Sequence, residues 1–156
     1  NTPPLWAKSK GRGVVLIGLN TIGEKQYILA KADSDIQTIS DLKGKRLGIP
    51  DHVNVYIDFH KATAEQGFEI ALKSNGISED EVEWADLVTE NRFTSEGKGE
   101  TFNDLSTREV EALEKGEVDA IFMKLPVAEE LAGSGKFRKI FDVAYDQDKL
   151  VPVNNE

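Results

Sequence analysis

A chain of 156 residues, 39% of them hydrophobic and 30% charged, is long enough to bury one core and has the composition of an ordinary globular domain. No apolar run approaches the roughly eighteen residues that a membrane-spanning helix needs. The net charge of -9, with basic residues scattered among acids, argues against nucleic acid as a partner because phosphate binding depends on clustered Lys and Arg, and the lack of cysteine removes disulfides, thiolate nucleophiles and thiolate metal sites.

Asn1-Thr2-Pro3-Pro4 has neither an initiator methionine nor an export signal, which reads as a cut and not a natural start. Pro3 and Pro4 suit the first turn of a short helix over Leu5 to Lys10, closed by Gly11. Val14 to Leu19 is continuously apolar, the pattern of a strand covered on both faces, and Tyr27 to Ala30 is a second such strand beyond the polar turn Asn20 to Lys25. Thr38 or Ser40 caps a turn ending at Gly44, after which Arg46 to Ile49 form a third strand that stops at Pro50.

From about Val53 to Asn75 the positions Ile57, Ala64, Phe68, Ala71 and Leu72 recur at helical spacing, and Asn75-Gly76 supplies a left-handed stop. Ser78 to Glu81 has capping-box spacing ahead of a strand over Val82 to Val88, and Thr89 to Asp104 reads as a long polar loop. Ser106-Thr107-Arg108-Glu109 is a second capping box, opening a short helix that closes at Gly116. Ala120 to Met123 is a buried-type strand, Pro126 begins a helix through Leu131, and Lys139 to Val143 is the last strand. Alternation of strand and helix from Arg46 to Val143 implies an α/β fold, a three-layer parallel sheet with helices on both faces.

Asp33-Ser34-Asp35-Ile36, Asp41-Leu42-Lys43-Gly44-Lys45-Arg46-Leu47-Gly48-Ile49-Pro50 and Leu113-Glu114-Lys115-Gly116-Glu117-Val118-Asp119-Ala120 together resemble the type II periplasmic binding proteins. The likeness is to the branch that includes nitrate-, alkanesulfonate- and thiamine-precursor-binding proteins. Within it, Pro3-Pro4-Leu5, Gly18-Leu19 and Leu125-Pro126-Val127-Ala128-Glu129-Glu130-Leu131 are similar to the aromatic desulfinases built on the same scaffold. The resemblance implies two α/β lobes with ligand between them. It assigns residues 34–145 to the second lobe, residues 1–33 to a remnant of the first lobe and its crossover strand, and residues 146–156 to the return crossover. The desulfinase cysteine, histidine and arginine are expected to precede residue 1, so this chain alone would lack that chemistry. The strands at 14–19 and 27–30 would lack their usual neighbours, and self-association through them is the expectation.

Candidate site residues follow from strand-end geometry. Asp51, His52, Val53 and Asn54 sit at the expected strand-to-helix junction, where backbone N–H groups and the helix dipole face a ligand; the competing reading is that Asp51 or Asn54 caps the helix. Lys124 follows a strand at the same rim and would meet an anion as a point charge, or be a solvated surface lysine. The resemblance adds Asn20 and Thr21, in the first-lobe loop that touches ligand in relatives; an ordinary polar turn is the alternative. His52 and His60 lack the spacing of a helical metal pair, and Trp84, Phe68 and Phe122 read as core aromatics. No phosphate loop or serine elbow occurs, and no metal or cofactor is expected.

The functional expectation is a solute-binding domain of an ABC-type import system, partnered by a small-molecule ligand and a membrane permease, in the periplasm or otherwise outside the cytoplasm. The alternative is a piece of a desulfinase- or decarboxylase-like enzyme on the same scaffold, which would be cytoplasmic.

Overall fold

The computed structural model describes residues 7–15, 17–18, 24–53, 58–90 and 102–146. In chain order these form β1 (Gln26–Lys31), β2 (Arg46–Val53), α1 (Phe59–Ser74), β3 (Glu83–Glu90), α2 (Phe102–Lys115), β4 (Ala120–Lys124), α3 (Val127–Gly133) and β5 (Phe137–Asp142). No helix among them is long and apolar enough to cross a membrane.

The five strands make one sheet in the order β3-β2-β4-β1-β5. β2 runs parallel to β3 and β4, while β1 lies antiparallel between β4 and β5. The expected parallel arrangement therefore holds for β2 to β5, and β1 makes the sheet mixed. Alternation along the strands explains the two-sided core. Ile28, Ala30, Leu47, Ile49, Ala120 and Phe122 pack with Phe68, Ala71 and Leu72 of α1. Tyr27, Leu29, Ile121 and Met123 pack with Ala112 and Leu113 of α2 and Ala128 of α3. Each fully buried Ile or Leu stabilises by about 2 kcal/mol, so a strand apolar on both faces anchors the centre of a sheet.

Local signals set the element ends. Asp58 caps α1, its carboxylate accepting from the N–H groups of His60 and Lys61 at 3.0 and 2.9 Å. At the other end Gly76, with φ of 68°, allows the Ile77 N–H to reach the Leu72 carbonyl at 3.0 Å. Thr38 and Ser78 form capping boxes with Asp41 and Glu81. Gly67 of α1 admits the Phe122 ring so closely that a Cβ there would lie 2.4 Å from it.

Several expectations are corrected. Val14 to Leu19 is not a doubly covered strand: its described residues 14, 15, 17 and 18 lie in no strand, and Val15 and Ile17 are 81% and 98% exposed. Apolar composition cannot by itself supply a ladder partner. The strand at Tyr27 to Ala30 does not lack neighbours, since β1 pairs with β4 on one edge and with β5 on the other. β2 continues through Pro50 to Val53, so Asp51, His52 and Val53 end a strand and do not begin a helix. Asp51 does not cap α1, because Asp58 does, and Asn54 lies outside the described residues. α2 begins at Phe102, one turn before the supposed capping box, which leaves Ser106 to Glu109 inside the helix. Trp84 is 39% exposed and sits on an edge strand, meeting Phe68 edge-to-face.

Candidate functional site at the carboxyl ends of β2 and β4

Pairing between β2 and β4 is recorded only at Leu47↔Ala120 and Gly48↔Ile121, whereas β2 stays paired with β3 through Val53↔Glu90. Pro50 has no N–H with which to extend a ladder, and beyond Gly48 the two strands part. The chain leaves β2 toward β3 on one side, and β4 lies on the other. Such a switch point opens a crevice at the carboxyl ends of the strands. A cavity of ≈ 30 Å³ lies there, lined by Pro50, His60, Ala64, Glu109, Phe122, Met123 and Lys124. Pro50 and Lys124, singled out from sequence as ends of neighbouring strands, thus line one mouth.

His60 of α1, Glu109 of α2 and Lys124 of β4 line it, and His52 of β2 packs beside His60. From β2, His52 is buried, with its side chain 3% exposed; its Nδ1 lies 3.0 Å from Asp58 Oδ2, and its backbone N–H donates to the same oxygen at 2.7 Å. Asp58 thereby ties the strand end to the start of α1. Burial opposes its ionisation, but the Lys61 and His52 N–H groups and the His52 ring outweigh that and hold its carboxyl below the usual range. Among the described residues, Nε2 of His52 is buried and has no hydrogen-bond partner.

From α1, His60 packs edge-to-face on His52, ring centroids 5.3 Å apart. Burial lowers its pKa, reinforced by the charges of His52 and Lys124 and opposed by Asp58. From α2, Glu109 is 6% exposed. Burial pushes its pKa up to about 7, with Asp58 adding to the rise and its own backbone N–H, His52 and Arg108 opposing it. At neutral pH this carboxyl is therefore poised between donor and acceptor forms. Lys124, half-buried at the rim, makes no ion pair among the described residues.

The other sequence candidates fall elsewhere. Asp51 points to the opposite face of β2, where Lys61 bridges it at 3.4 Å and Asp86 at 3.0 Å. Val53 closes β2. Asn20, Thr21 and Asn54 lie outside the described residues. Asp58 and Glu109 were not foreseen. Glu109 was legible as the first position of an inward stripe with Ala112 and Leu113, three and four residues on. Among the described residues no group of three or more His, Asp or Glu side chains could hold a metal. A wider opening of ≈ 430 Å³ lies at the other end of the sheet, between Lys31, Glu114 and Lys136. There Lys136 pairs with Glu114 at 3.1 Å, so it offers no unsatisfied buried group.

The strand order and the mouth define the class: an α/β lobe of the type II periplasmic-binding fold. Solved structures with this fold include the periplasmic aliphatic sulphonate-binding protein SsuA of Escherichia coli, with TM-score 0.61 and 21% identity over 90% of this chain and 40% of that one. The alkanesulfonate-binding SsuA of Xanthomonas axonopodis pv. citri, bound to MOPS, matches with TM-score 0.58 and 21% identity over 90% and 40%. DszB in complex with biphenyl-2-sulfinic acid matches with TM-score 0.61 and 22% identity over 80% and 43%. The chain spans about two fifths of the length of these solved relatives. No curated protein matches it. The family model described as NMT1/THI5 like matches residues 3–101, and the chain belongs to that family.

Proposed function

We propose that this chain is the ligand-holding lobe of a solute-binding protein serving an ABC-type import system. It works outside the cytoplasm with a membrane permease and closes on a small polar organic molecule. On this reading residues 34–145 are the second lobe, residues 1–33 a remnant of the first lobe with its crossover, and residues 146–156 the return crossover. His52, Lys124 and the peptides around Asp51 to Asn54 would meet ligand from one wall, and Asn20 and Thr21 from the other.

The observation that carries the reading is the set of polar groups at and beside one switch-point mouth: Glu109 and Lys124, which line it, and His52 Nε2, buried next to His60 with no partner among the described residues. A protein selected for stability alone has no use for an unsatisfied buried polar atom, which costs about 1–3 kcal/mol. The solved relatives named for sulfonate binding support the same reading.

Calorimetry of the chain against small organic acids tests it. Saturable binding weaker than about 1 µM is expected, because one wall of a cleft supplies only part of the contacts. Absence of binding up to about 10 mM, which corresponds to less than 3 kcal/mol, would remove the proposal. Chemical conversion of the bound acid would replace it with the enzymatic alternative.

A further inference from the structure

Glu109 is the buried acid of the mouth, and the chain brings it no cation. It lines the opening from α2, is 6% exposed, and makes no ion pair among the described residues. The charged groups around it are engaged elsewhere. Arg108, its neighbour in α2, pairs with Glu117 at 2.6 Å, and His52 of β2 lies 3.0 Å from Asp58. His60 of α1, its pKa lowered by burial, is uncharged near neutrality. Pro50, Ala64, Phe122 and Met123 complete the wall and carry no side-chain donor. A carboxyl in such surroundings holds its proton more firmly than one in water, because desolvation penalises the charged form. Burial accordingly pushes its pKa up to about 7, with His52 and Arg108 opposing the rise and Asp58 adding to it. Lys124 lines the same opening from β4, bears on His60, and makes no ion pair among the described residues. Two opposite charges that share an opening without closing on each other are complementary to a molecule that carries the reverse pair. A plain acid would answer Lys124, leave Glu109 unpaired, and approach a chain of net charge -9 against its overall field.

The geometry points to Glu109 as the counter-ion for the ammonium group of a short organic acid whose anionic end meets Lys124. As the ammonium arrives, a protonated Glu109 gives its proton to solvent and the resulting carboxylate pairs with the cation, so binding and proton release are linked. This rests on the solute-binding reading and narrows it, because it names a ligand with both charges and the group that answers each.

Calorimetry of the whole chain compares propanoate with 3-aminopropanoate in two buffers of different ionisation enthalpy, while the Glu109 side-chain carboxyl is followed by carbon NMR. At about pH 7.5 the amino acid is expected to bind about tenfold more tightly than propanoate, the worth of a charge-assisted contact to a buried carboxylate. Its affinity should fall about twentyfold on going to about pH 5.5, as a carboxyl titrating near 7 takes up its proton. Binding at the lower pH should release a proton that propanoate does not, and the carboxyl resonance should move to its ionised position. Glu109→Gln should bring the two probes to equal affinity and abolish the release. The wild-type proton count and carboxyl shift decide the matter even if that variant does not fold. Equal affinities of the two probes, or a carboxyl that stays unmoved, would overturn the pairing and leave the solute-binding reading standing. No binding of either probe up to about 10 mM would overturn both.

Discussion

The two ends of β2 differ in how their polar groups are satisfied. At the amino end, Asp119 Oδ2 accepts from the Arg46 N–H at 2.8 Å and from Nε at 3.1 Å, while Oδ1 accepts from a terminal guanidinium nitrogen at 3.0 Å. The same guanidinium nitrogen donates to the Gly116 carbonyl at 2.8 Å, and the Asp119 N–H returns a bond to the Arg46 carbonyl at 2.8 Å. Lys43 pairs with Glu81 at 2.9 Å nearby. Charge-assisted, forked contacts of this kind fix geometry. At the carboxyl end, among the described residues, a buried imidazole nitrogen has no partner and a lysine makes no ion pair, and a carboxyl is buried at the mouth. One end is built to stay as it is, and the other keeps unmet bonding capacity that a ligand would complete. The motifs that carry the family resemblance around Arg46 and Asp119 thus belong to the scaffold, eight residues or fewer along two strands from the mouth they support.

The comparison is most severely tested at Glu109. Its native pKa is raised, so the unfolded chain ionises first, near the ordinary 4.5. Between that value and about 7 the unfolded state holds fewer protons, and stability falls as pH rises. In denaturant melts Glu109 alone is expected to cost about 3 kcal/mol across this window, which His60 partly offsets because its lowered pKa makes stability rise with pH below its ordinary 6.5. Glu109→Gln should remove the fall, and an unchanged slope in that variant would deny the mouth its cost. The depressed carboxyls of Asp58 and Asp119 act in the opposite sense, below their ordinary 3.8, and so do not mask it.

Asp119→Ala should lower the thermal midpoint by about 5 °C, since it removes both sides of the clamp at the amino end. Ligand binding at the mouth should survive wherever the variant is folded. A binding loss without a stability loss would reverse the roles given to the two ends. The smallest effect belongs to Lys124→Met, which should shift the midpoint by less than about 2 °C because no ion pair among the described residues is broken. The same variant should weaken binding of organic acids severalfold in calorimetry.

Much of this arrangement was legible in the chain. The capping boxes at Thr38 and Ser78, the glycine stops at Gly44, Gly76 and Gly116, and the alternation from Arg46 onward are local signals, and local rules place them. The positions of Pro50 and Lys124 at one edge follow from parallel strands, which alternation implies. Three features were not legible. The apolar run at Val14 to Leu19 has the composition of a strand, but a strand needs a ladder and composition names no partner. Ser106 to Glu109 has capping-box spacing, yet Phe102 starts the helix and carries Glu109 inward. His52 and Asp58 are six residues apart across a turn, and nothing in that spacing announces a hydrogen bond.

The sequence by itself determined where strands and helices alternate and which faces are apolar, because these depend on neighbours within a few residues. Only the tertiary structure decided that β1 enters antiparallel between β4 and β5, that Asp51 turns to Lys61, that His60, Glu109 and Lys124 share one mouth, and that His52 packs on His60 beside it. These groups come from separate elements, and both their proximity and their desolvation arise when the sheet and its two helical layers close together.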